Sequence, residues 1–157
     1  MLILTTEAAA AIAAHAEQTY PDECVGLLLG TLEGAGVKHV RAAYAVENCW
    51  SGQVHLAEND NADSRRDRFY LDPRDYLRAD RAARAAGLEI IGCYHSHPDH
   101  PAIPSERDRV GAQAVGGGPS FAFVIQSAVD GHATELASWL LLDEGARFEQ
   151  EDLRVTG

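Results

Sequence analysis

Cys24-Val25-Gly26-Leu27-Leu28-Leu29-Gly30 carries no charged side chain and, apart from one thiol, no polar one. A run this short and this uniformly apolar is read as a buried strand, because a buried helix of ordinary length needs more residues. Leu88 to Tyr94 gives a second buried strand, which leads directly into His95-Ser96-His97-Pro98. Helical signals surround these strands. Thr5-Thr6 opens an alanine-rich stretch to Tyr20, where Pro21 stops it. Asp72-Pro73 reads as an N-cap with proline at the first helical position, and Gly87 stops that helix after Ala86. A third helix is expected from Ser105 to just before Gly116-Gly117-Gly118. A turn at Gly34 and Gly36 leads to a strand over Val37 to Val46, and Phe121–Gln126 with Thr134–Leu142 reads as a hairpin around Asp130-Gly131. Phe69 to Leu71 is expected as a short strand, and residues 48–67 as a long polar surface loop, less ordered than the strands. The fold class is α/β. A chain of 157 residues suits one domain over residues 1–157, with a core that needs no disulfides.

Charge and cysteine usage exclude several classes of function. Lysine and arginine total 13 against 24 aspartates and glutamates, a net charge of −11. A surface this acidic repels phosphate backbones, so no nucleic-acid partner is expected. No apolar run approaches the ~18 residues of a membrane helix, and the start Met1-Leu2-Ile3-Leu4 lacks a basic leader, so a cytoplasmic protein without membrane contact is expected. Cys24, Cys49 and Cys93 are odd in number and lack paired metal-knuckle spacing, which suits a reduced compartment.

The residues that suggest chemistry lie around the second buried strand. His95 and His97 are two apart where it ends, and i, i+2 side chains of a strand share a face, so both imidazoles can reach one ion. Ser105 and Asp108 are three apart in the first turn of the next helix and share a face there. Each piece has a plainer use: a lone His-x-His is often structural, Ser105 suits an N-cap, and Asp108 suits a helix N-terminus. Their convergence from separate elements favours a metal site. Two imidazoles and one carboxylate leave a tetrahedral zinc ion with an open position for water, as in hydrolytic centres. His100 is a weaker candidate on a flexible proline loop. His15, His39, His55 and His132 read as surface residues, and Cys24 and Cys93 as small core residues.

His95-Ser96-His97-Pro98, six further residues, then Ser105-Glu106-Arg107-Asp108 resembles the motif of the JAMM (Mov34/MPN/PAD-1) metallopeptidases, with Glu23 standing where that motif has its upstream glutamate. The resemblance extends over nearly the whole chain, including Arg68-Phe69 to Asp72-Pro73 and the Asp130-Gly131 hairpin. It implies a curved mixed sheet with packed helices, zinc held by His95, His97 and Asp108, Glu23 as general base, and Ser105 as hydrogen-bond donor to the oxyanion. Among the family, this chain is similar to the compact prokaryotic members, which act on ubiquitin-like sulfur-carrier proteins at a C-terminal Gly-Gly. The partner so implied is such a carrier; the substrate-binding residues and the oligomeric state are left open. Two alternatives remain: a scaffold of this fold without catalysis, and a RadC-like protein of DNA metabolism. The loop at 49–66, longer than in the smallest relatives, and Cys93 before Tyr94 are departures from the family pattern.

Overall fold

The computed structural model describes residues 1–48, 71–115 and 118–157. Its helices start where the sequence offers a cap. Thr5 caps α1 (Thr6–Thr19), its hydroxyl accepting from the Ala8 N–H at 3.1 Å. Asp72 caps α2 (Pro73–Ala85) through the Arg74 N–H at 2.8 Å, and Gly87 leaves that helix with φ at +72°, a conformation only glycine adopts freely. Ser105 caps α3 (Glu106–Val115), its hydroxyl accepting from the Asp108 N–H at 3.1 Å.

The strands are β1 (Leu2–Thr5), β2 (Val25–Glu33), β3 (Val37–Val46), β4 (Glu89–Pro98), β5 (Ala122–Val129), β6 (His132–Leu142), β7 (Arg147–Glu151) and β8 (Leu153–Thr156). They form one sheet in the order β7-β6-β5-β4-β2-β3-β1-β8, with β1 parallel to β3 and β8, β4 parallel to β5, and the other neighbours antiparallel. The two outermost strands, β7 and β8, are separated in sequence only by Asp152. One residue cannot span a flat sheet of eight strands at ~4.8 Å each, so the sheet curls until its edges approach. Lys38 of β3 crosses that seam to Glu151 at the end of β7, Nζ to Oε1 at 2.9 Å, and both side chains are almost fully buried. This is the α/β fold with a curved mixed sheet expected from the sequence.

Helices cover both faces. Ala8, Ile12 and Ala16 lie along one stripe of α1 and pack with Leu2, Leu4, Leu28, Val40, Tyr94 and Val124. On the other face Ala79 of α2 and Ala112 of α3 pack with Leu27, Cys93, Phe121 and Phe123. A bulge decides which β4 residues face which layer. Leu28 pairs with Gly92 and Leu29 with Ile90, so Ile91 is an extra residue that inverts the alternation after it. Cys93, His95 and His97 are thereby placed on the α3 face, and Tyr94 and Ser96 on the α1 face.

Several sequence expectations need correction. The second buried strand does not end at Tyr94; β4 continues through both histidines, held by β5 as far as Pro98↔Ala128. Strands β1, β7 and β8 were not expected: β1 is apolar but only four residues long, and β7 and β8 are short and of mixed polarity, so none carries a clear period-two signal. Both hairpin strands are longer than expected. The expected loop at 48–67 and strand at Phe69–Leu71 lie outside the described residues, except that Asn48 is buried and Leu71 is not in a strand.

Candidate metal centre

Three elements deliver the site. β4 presents His95 and His97, and α3 brings Asp108 from its first turn. β2 pairs last with β4 at Val25↔His95; two residues further in that register, Glu23 stands opposite His97. Glu23, His95, His97 and Asp108 each offer a ligand atom, all within 4.8 Å of one another, and all four are buried. His95 Nε2 lies 3.2 Å from His97 Nε2 and 3.1 Å from Asp108 Oδ1, and His97 Nε2 lies 2.9 Å from Asp108 Oδ2. Ligand atoms around a tetrahedral zinc with bonds of ~2.0–2.1 Å would stand ~3.3 Å apart. The separations and the two-imidazole, one-carboxylate donor set therefore fit a single zinc-sized ion.

Hydrogen bonds beyond the donors aim them. His97 Nδ1 meets the Pro101 carbonyl at 2.8 Å, so Nδ1 carries the proton and the Nε2 lone pair points into the cluster. Ser105 and Asp108 bond reciprocally: the Ser105 N–H donates to Asp108 Oδ2 at 2.9 Å while Ser105 Oγ accepts the Asp108 N–H. This is a capping box with aspartate in place of glutamate, and it turns the carboxylate toward the histidines. Burial alone would raise the Asp108 carboxyl, but the two histidines hold it well below the usual carboxylate range. Burial pulls His97 down, and Asp108 together with the Pro101 carbonyl outweighs it, leaving His97 raised.

The segment with Pro98, Pro101 and Pro104 is not the flexible loop expected. The Asp99 N–H donates to Ala128 O at 2.7 Å, Ser127 Oγ to His100 O, the Ala102 N–H to Glu135 Oε1 at 3.0 Å, and Trp139 Nε1 to Ala102 O at 3.1 Å. The Pro101 carbonyl that orients His97 is thus held by β5 and β6. No local pattern marks these partners, which are distant in the chain. The His100 side chain is exposed at the rim and stands outside the four-residue cluster.

A cleft of about 430 Å³ opens onto the centre, lined by Glu23, His97, His100, Ile103, Ser105 and Arg107 among others. Beneath His95 and Asp108 lie Ala112, Phe123, Ile125 and Phe148. Cys93 packs into this apolar floor, where burial, then Asp108, pushes its thiol up to about 12. Cys24 belongs to the α1 core and its thiol is likewise pushed up to about 12, chiefly by burial. Both thiols are protonated at neutral pH, consistent with packing residues. His15 is not a plain surface residue: it is half-buried, its Nδ1 is 2.8 Å from Tyr94 Oη, and burial lowers its pKa. His39 is partly covered beside Glu33, His132 is exposed, and His55 lies outside the described residues.

Fold and site together define an α/β domain whose sheet face carries a buried cluster able to hold one metal ion. Residues 5–142 match the family described as prokaryotic homologs of the JAB domain, and the chain belongs to that family. It is 29% identical over 134 residues to a desampylase of Haloferax volcanii, covering 85% of this chain and 84% of the relative. It is 29% identical over 150 residues to a CysO-cysteine peptidase of Mycobacterium tuberculosis, covering 96% and 88%. A solution structure of a Desulfitobacterium hafniense protein aligns over 99% of this chain and 93% of its own, with TM-score 0.75 and 29% identity. A JAB1/MPN domain protein from Archaeoglobus fulgidus shares the fold, with TM-score 0.56 at 16% identity over 98% of each chain.

Proposed function

We propose that this chain is a zinc-dependent peptidase that hydrolyses the bond made by the C-terminal Gly-Gly of a ubiquitin-like or sulfur-carrier protein. Residues 1–157 serve as one peptidase domain in this reading, with His95, His97 and Asp108 holding zinc, Glu23 as general base and Ser105 stabilising the oxyanion. The observation that carries it is the meeting of a three-donor set with a buried carboxylate, beside a cleft whose wall carries Glu23, His97, Asp108 and Ser105. The relatives named as a desampylase and a CysO-cysteine peptidase support the substrate class. The presence of all five residues weighs against a scaffold without catalysis.

Zinc bound here would lower the pKa of water toward neutrality and polarise the scissile carbonyl. Glu23 takes the proton of the attacking water and delivers it to the leaving nitrogen, so one carboxylate serves both halves of the reaction. Ser105 Oγ accepts the Asp108 N–H, which leaves its own proton to be donated to the developing oxyanion. A Gly-Gly tail lacks side chains and can pass extended through a narrow approach to the cleft. The net charge of −11 weighs against a nucleic-acid substrate. Among the described residues no helix is long and apolar enough to cross a membrane.

The test is incubation with carrier proteins extended beyond Gly-Gly by cysteine, a peptide or a lysine-linked protein, read by mass spectrometry. Cleavage after Gly-Gly, lost on chelation and restored by zinc, is expected. His95→Ala and Asp108→Ala should weaken zinc binding by more than the ~10–100-fold of an outer-shell change, and His100→Ala should leave it unaltered. Zinc lost in His100→Ala but retained in Asp108→Ala would show the ligand set to be wrong.

A further inference from the structure

Glu23 precedes β2, which begins at Val25. The direction of its carboxylate therefore depends on the peptide group joining Glu23 to Cys24, and that group is held at both ends. Its carbonyl oxygen accepts from the Asn48 side-chain amide at 3.0 Å, and its N–H, on Cys24, donates to Ser96 Oγ at 2.8 Å. Ser96 is 0% exposed and Asn48 8%. The bond to Ser96 is not an ordinary ladder bond. The Ser96 N–H donates to Cys24 O at 3.2 Å, which makes these two residues the next pair beyond Val25↔His95. In an antiparallel ladder the Cys24 N–H would return to the Ser96 main-chain carbonyl; here it goes to the hydroxyl. The strands part at this point, with a side chain as their last rung. Because Ser96 points to the α1 face while His95 and His97 point to the centre, it grips the Glu23 backbone from behind without entering the cleft.

We propose that Ser96 and Asn48 are positioning residues for Glu23: by clamping the Glu23–Cys24 peptide they fix the carboxylate against the His95–His97–Asp108 cluster. The inference rests on the reading of Glu23 as general base. Proton transfer requires a heavy-atom approach of ~2.6–3.2 Å, and rotation of a peptide plane at a strand end would swing the side chain out of that range. A serine between two histidines therefore does more than continue the strand.

The test compares Ser96→Ala, Ser96→Thr and Asn48→Ala with wild type, all zinc-loaded, on a Gly-Gly-linked substrate. A displacement of ~1 Å can cost about 10²-fold, so each alanine variant should lose roughly tenfold to a hundredfold in kcat, with KM and zinc affinity unchanged. Ser96→Thr keeps the hydroxyl and should restore the rate. In a Glu23→Gln background Ser96→Ala should cause no further loss, since it acts through that residue. Amide exchange at Cys24 gives a readout apart from turnover: faster in Ser96→Ala, at the wild-type rate in Ser96→Thr. Full kcat in both alanine variants, failure of threonine to rescue, or zinc lost together with rate overturns the clamp. If Ser96→Ala does not fold, Asn48→Ala tests the other end of the same peptide. Failure of the parent reading looks different: a wild type that cleaves nothing, or a Glu23→Gln variant as active as wild type, with Cys24 exchange then deciding the clamp by itself.

Discussion

His97 shows how single residues couple the centre to pH. Its pKa is raised because Asp108 and the Pro101 carbonyl outweigh the effect of burial. A histidine raised on folding contributes stability that is full below the unfolded value, ~6.5, and is lost as pH rises through the higher folded value. That is the expected behaviour of the metal-free protein. Zinc needs the neutral imidazole, so its affinity should fall as pH drops through the same folded value, with a proton released from His97 on binding. Asp108, held far below the usual range, should release none. Calorimetric zinc titrations in buffers of different ionisation enthalpy measure that release; none near the onset of the affinity loss would contradict the assignment. At this scale the sequence was informative, because His95, His97, Ser105 and Asp108 are chemically distinctive and close in the chain. What it lacked were the partners from elsewhere: Asn48 on Glu23, and Ser127, Glu135 and Trp139 on the proline segment. Polar residues on strands have many uses, and only the fold selects one.

At the scale of elements, the start of α3 serves two purposes. Ser105→Ala removes the acceptor for the Asp108 N–H and should cost about 1 kcal/mol as a lost cap, measured by denaturant titration. It should also lower kcat by ~10²–10³ if the hydroxyl serves the oxyanion, measured where circular dichroism shows the variant folded. Strand β2 passes under Tyr94 so closely that only glycine fits. A Cβ on Gly26 would stand 2.2 Å from the Tyr94 ring, which is itself buried and bonded to His15. Gly26→Ala should therefore destabilise by ~1–3 kcal/mol through overpacking, seen as a lower urea midpoint at unchanged slope; an unshifted midpoint would contradict the packing described. Helix starts and stops were legible here, since Thr5, Asp72-Pro73 and Gly87 have local mechanisms. The Ile91 bulge was not. Strand alternation read back from the histidines still gives the right face for Cys93, but not for Ile91 on the far side of the bulge.

For the whole molecule, the curl of the sheet depends on residues with no hydrophobic pattern. Arg147-Phe148-Glu149-Gln150-Glu151 reads as surface, yet it closes the sheet edge and lends Glu151 to the buried Lys38. Glu151→Ala would strand that lysine and should cost ~3–5 kcal/mol, measured as a fall in unfolding free energy; a loss within ~0.5 kcal/mol, typical of a surface site, would mean the seam carries no such pair. The α/β class was legible because Cys24–Gly30 and Leu88–Tyr94 announce buried strands, whereas closure depends on contacts between chain ends that no local pattern encodes. The β2–β4 pairing and the first turn of α3, at the middle of that sheet, bring Glu23, the β4 histidines and Asp108 together, and the proposed hydrolysis follows from that meeting. The most direct measurement compares wild type with Glu23→Ala on a Gly-Gly-linked conjugate, with zinc content and circular dichroism taken on the same samples. The account predicts folded protein with full zinc in both, cleavage after Gly-Gly by wild type, and a rate lower by ~10²–10⁴ in Glu23→Ala. A zinc-loaded Glu23→Ala that cleaves as fast as wild type, or a zinc-loaded wild type that cleaves no such conjugate, would contradict it.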